Sequence, residues 1–130
     1  MIEKIKIEFF RELSKMAEEI DAQIIFLKEE DRSDESNLEK VKLNVLDIFK
    51  QMFDVSYRKV FNPGNRNDET VKLSEFKRTY LEFYDKIPNN WYESLTLAKK
   101  NDDFEKVLVE ELKIETMKKV RTCFDKCWEV

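Results

Sequence analysis

One glycine and two prolines in 130 residues leave little room for any fold that turns often. Antiparallel sheets need Gly, Asn-Gly or Pro at most of their hairpins, so sandwiches and barrels are excluded. Dinucleotide and P-loop phosphate cradles need several glycines at fixed offsets, and they are excluded with them. The chain also has no histidine, which removes Ser-His-Asp and Cys-His catalysis and every metal site that relies on imidazole.

What remains is helix, and the apolar spacing asks for it. Ile2, Ile5, Phe9, Leu13, Met16, Ile20, Ile24 and Leu27 step by three or four, one face of an α-helix. Gln23 falls between Ile20 and Leu27, where a 3.6-residue period carries the stripe onto Ile24 and leaves Gln23 at its boundary. The polar run Glu29 to Ser36 reads as a solvated connection, and Ser36 with Glu39 reads as a capping box opening the next helix. That helix carries Leu38, Val41, Val45, Ile48, Met52 and Val55, with a second column of Leu46, Phe49, Phe53 and Val60. So wide a face predicts several neighbours and a central position.

Asn62-Pro63-Gly64-Asn65 is the one strong breaker. Leu73, Phe76, Tyr80, Phe83 and Ile87 give a third helix ended by Pro88. Asn90 with Glu93 and Asp102 with Glu105 read as two further capping boxes. They open a short helix over about 90–100, with Trp91, Leu95 and Ala98 on one face, and a last one carrying Phe104, Leu108, Leu112, Met117, Val120, Phe124 and Trp128. The expected fold is all-α: one domain over 1–130, a four- to five-helix antiparallel bundle with a short helix between two long ones.

The 24 bases and 28 acids give a net charge of −4. That balance disfavours nucleic acid, whose affinity comes from neutralised phosphates. The acidic stretch from Glu18 to Glu35 and the basic one from Leu112 to Cys127 are the only strong asymmetries. A reading as an RNA- or DNA-associated domain rests on Lys118 to Lys126 alone. The longest apolar run is Ile24 to Leu27, far short of the roughly 20 residues of a membrane helix. With no leader-like N-terminus, a cytoplasmic location is expected, with Cys123 and Cys127 as free thiols. Two cysteines without histidine make half a zinc site at most, and burial at the core edge is the simpler reading.

Two functional readings follow. Tyr80, Tyr84, Trp91 and Tyr92 cluster around Pro88, and such residues offer contact area at low entropic cost. They mark a candidate partner surface, shared with the last helix, of a non-catalytic protein–protein interaction module. Its partner would be another protein or a second copy, with Leu43, Tyr57, Phe10 and Ile25 as a patch for a homodimer. No cofactor is expected. The alternative is a hydrolase of nucleotide-like substrates holding Mg²⁺ or Mn²⁺ between Glu18 and Glu19 of the first helix and Glu111 and Glu115 of the last.

Overall fold

The structure, a computed structural model, describes residues 1–129. Five helices follow one another: α1 (Ile2–Glu29), α2 (Ser33–Val60), α3 (Glu69–Lys86), α4 (Asn89–Lys100) and α5 (Phe104–Trp128). Among the described residues there is no strand. The fold is an all-α bundle. The central position expected of the second helix is observed, since α2 packs on α1, α3 and α5.

Two of the turns answer the shortage of glycine. Glu30, Asp31 and Arg32 alone join α1 to α2, and Asn101, Asp102 and Asp103 alone join α4 to α5. In the first, the Arg32 amide donates to the Leu27 carbonyl at 2.8 Å and the Asp31 amide to Lys28 at 3.1 Å. In the second, Asp103 donates to Ala98 at 2.9 Å and Asp102 to Lys99 at 3.3 Å. Both are Schellman closures, in which a residue in the left-handed region satisfies the last carbonyls of a helix. That residue is ordinarily glycine; here it is Asp31 (φ 56°) and Asp102 (φ 54°). Aspartate tolerates this conformation better than most side chains do.

These turns correct three sequence expectations. The connection after α1 is three residues rather than eight, so Ser36 lies inside α2. It is buried, and its Oγ has no partner. Asp102 is the left-handed residue that ends α4, and Asp103 caps α5, its carboxylate accepting from the Lys106 amide at 3.2 Å. Asn90 caps nothing, because Ile87 and Pro88 both keep right-handed helical angles and α4 starts at Asn89. Ile87 and Pro88 form the junction between α3 and α4, and the Pro88 carbonyl accepts from the Tyr92 amide at 2.9 Å.

The breaker after α2 is tied down by side chains. Asn65 donates to the Val60 carbonyl at 2.7 Å and to Glu75 at 3.2 Å, and Asn67 donates to Glu75 at 2.7 Å. Asp68 then caps α3 by accepting from the Val71 amide at 3.0 Å.

The core is aromatic. Phe9, Phe49, Phe53, Phe76, Tyr80 and Phe124 are fully buried. Phe53 sits at the junction, with ring centroids 5.6 Å from Phe9, 4.8 Å from Phe76 and 5.3 Å from Tyr80. On α2 the second column supplies this core, while Val55 of the first is exposed. Of the four residues of the expected dimer patch, Phe10, Leu43 and Tyr57 are half-buried against the core, and Ile25 is exposed.

Candidate functional site

The aromatic cluster around Pro88 divides between inside and outside. Tyr80 is 0% exposed and Tyr84 4%, so neither offers a face to a partner. The Tyr80 hydroxyl donates to the Phe49 carbonyl at 2.9 Å and lies 2.7 Å from that of Tyr84. Burial pushes both hydroxyls up from their ordinary pKa, keeping them neutral donors. Trp91 meets the edge of Phe49 at 6.4 Å and lies under the Lys113 ammonium at 5.9 Å. Tyr92 is exposed. Tyr84 and Tyr92 share a hollow of about 530 Å³ with Lys118 and Arg121 of α5, so the last helix does contribute. Tyr80 and Trp91 do not line it, because the core takes them. Asp85 also lines the hollow, and Arg121 pairs with Asp125 at 3.2 Å.

The four carboxylates of the hydrolase reading do not meet. Glu18, Glu19 and Glu115 point to solvent, Glu111 is half-buried, and the described residues hold no group of three potential His, Cys, Asp or Glu ligands. The buried acid is their neighbour Glu110, whose Oε1 accepts from Lys113 at 3.2 Å while Oε2 has no partner. The basic stretch is likewise split. Lys118 and Arg121 face the tyrosine hollow, whereas Lys119 and Lys126 face a separate cleft against α1.

An apolar site lies elsewhere, at the end of the bundle where α2 and α5 begin. Phe104, the first residue of α5, is 78% exposed, and Leu108, one turn later, is 50% exposed. With Leu38 and Val41 of α2 and Val109 they line a groove of about 520 Å³. Its charged lining is Asp34 and Glu105, with no cation.

Sequence reasoning placed Phe104 and Leu108 on the core stripe of the last helix. The structure corrects this: the buried face runs through Glu110, Ile114, Met117, Val120, Phe124 and Cys127. The signal was present in the spacing. Leu112 to Met117 is a step of five, which breaks the helical period and shows that the two ends of the stripe lie on different faces.

Compared with models of known families, with curated proteins and with solved structures, the chain matches none. No helix among the described residues is long and apolar enough to cross a membrane.

Proposed function

We propose that this protein is a non-catalytic interaction module that docks a helix of a partner protein in the groove between the first turns of α2 and α5. The observation that carries the reading is Phe104, a large apolar side chain held in solvent beside Leu38, Val41, Leu108 and Val109. Burying a side chain of this kind is worth about 1.5–3 kcal/mol, and truncation energies concentrate in such anchors. An amphipathic helix fills a groove of this shape through apolar residues one turn apart.

The charges choose among occupants. Two copies meeting through this face would bring Asp34 and Glu105 of one against those of the other, and like charges in apposition disfavour the pair. A partner helix with Lys or Arg flanking its apolar stripe meets both acids favourably.

The test is fluorescence anisotropy with a labelled amphipathic peptide of Leu and Lys, run beside its charge-reversed Leu and Glu counterpart. Binding of the cationic peptide that Phe104→Ser abolishes supports the reading. Equal binding of both peptides, or binding unchanged in Phe104→Ser, overturns it. So does a dimer in sedimentation that Phe104→Ser dissociates, because the groove would then belong to a second copy.

A further inference from the structure

The cleft between α1 and the last turns of α5 gathers sulfur. Cys123 and Cys127 lie four residues apart on α5, hence on one face, and both line it. Met16 of α1 lines the same cleft of about 560 Å³. Both cysteines of the chain and one of its four methionines thus meet at a single opening. Both thiols are free. Arg11, Lys119 and Lys126 offset Glu8 and Glu12 around them.

We infer that Cys123, Cys127 and Met16 form a binding site for one soft monovalent metal ion of the Cu(I) class. The donor set decides the metal. Thiolate and thioether sulfur select Cu(I), which two or three soft ligands satisfy. Zinc asks for four nitrogen or sulfur ligands, and the described residues offer no third His, Cys, Asp or Glu to the pair. Calcium and magnesium ask for oxygen cages. The ion displaces the two thiol protons to solvent, and no electron is transferred. Burial holds both thiols protonated at neutral pH, so loading releases two protons and strengthens as pH rises. The site is independent of the α2/α5 groove and stands whether or not that groove binds a helix.

The experiment is an anaerobic titration of the whole chain with Cu(I) supplied from a chromogenic chelator, repeated with Ag(I), which binds sulfur without redox chemistry. Ultraviolet sulfur-to-metal absorption and chelator competition are read together. One equivalent per monomer is expected, lost in Cys123→Ser, whose side chain is only half-buried and whose fold circular dichroism verifies. Met16→Leu is expected to keep the stoichiometry and weaken binding by about tenfold or more, the least that partners outside the ligand set cost. Three results would overturn the site: uptake equal to that of the Cys123→Ser, Cys127→Ala double variant; half an equivalent, which means a metal bridging two chains; or no effect of Met16→Leu. Tighter binding of Zn²⁺ than of Cu(I) would overturn the choice of metal.

Discussion

The hydroxyl of Tyr80 has one proton and gives it to the Phe49 carbonyl, so Tyr84, 2.7 Å away, must be the donor to Tyr80. A one-way chain runs from Tyr84 through Tyr80 to the backbone of α2, in the middle of an aromatic core. Tyr80→Phe leaves the buried Tyr84 O–H without its acceptor and removes a second donor from the Phe49 carbonyl, which keeps its bond within α2, and should cost about 1–3 kcal/mol. Tyr84→Phe removes only a donor to an oxygen already engaged and should cost about 1 kcal/mol. The double variant should cost less than the sum, because both single changes break the same Tyr84–Tyr80 hydrogen bond. Urea denaturation of the three variants measures this.

Asp31 and Asp102 occupy left-handed positions that glycine fills without a Cβ penalty. Asp31→Gly and Asp102→Gly should each raise stability by up to about 1 kcal/mol, even after the entropic cost of a glycine in the unfolded chain. Replacement by Ala at either position should lower it. Thermal melts of the four variants decide. A fall with both glycines would show that the aspartate side chains themselves hold these turns.

Phe104 and Phe124 share a helix and should behave oppositely. Phe124→Ala removes a fully buried ring that touches Phe9, Tyr80 and Trp128 and should cost about 3–5 kcal/mol. Phe104→Ala should change folding stability by less than about 0.5 kcal/mol, as exposed substitutions do. A large loss at Phe104 in chemical denaturation would mean that its ring supports the fold rather than a partner.

Ser36 carries a buried hydroxyl without a partner, while the Ser56 hydroxyl, also buried, donates to the Met52 carbonyl at 2.8 Å. Ser36→Ala should leave stability unchanged or raise it by up to about 1 kcal/mol, and Ser56→Ala should lower it. Paired melts separate the two.

Alkaline pH should weaken the fold. Burial, helped by Cys127 and Glu12, raises Cys123 from 9.0 to about 11. The unfolded chain therefore loses this proton first. The stability held by the neutral thiol is whole below 9.0 and is lost as pH climbs through about 11. Cys127 and Tyr84 are raised too, chiefly by burial, and act with the same sign. Urea midpoints at about pH 8 and about pH 10 should fall in the native chain, and fall less in Cys123→Ser.

The sequence by itself determined that this protein is helical and roughly where each helix lies. Glycine is scarce, apolar residues recur every three or four positions, and both are local facts that hydrogen bonding along the chain converts directly into helix. The wide face of α2 and the stop at Pro88 were legible for the same reason.

Tertiary structure decided which apolar residues go inside. Every residue on a helix has a fixed direction, but whether a neighbour stands there depends on where the other helices pack. Hence Phe104 and Leu108 project into solvent while Glu110 is buried on the same helix, and Tyr80 and Tyr84 close into the core rather than onto a partner. Spacing alone could bring Glu111 and Glu115 to one side of α5, yet only packing could have carried them to Glu18 and Glu19, and the α1–α5 contact is made instead by Phe9, Phe124 and the sulfur-lined cleft. The left-handed aspartates were hidden for a related reason: a strained turn residue is chosen by the two helices it joins, once they are packed side by side.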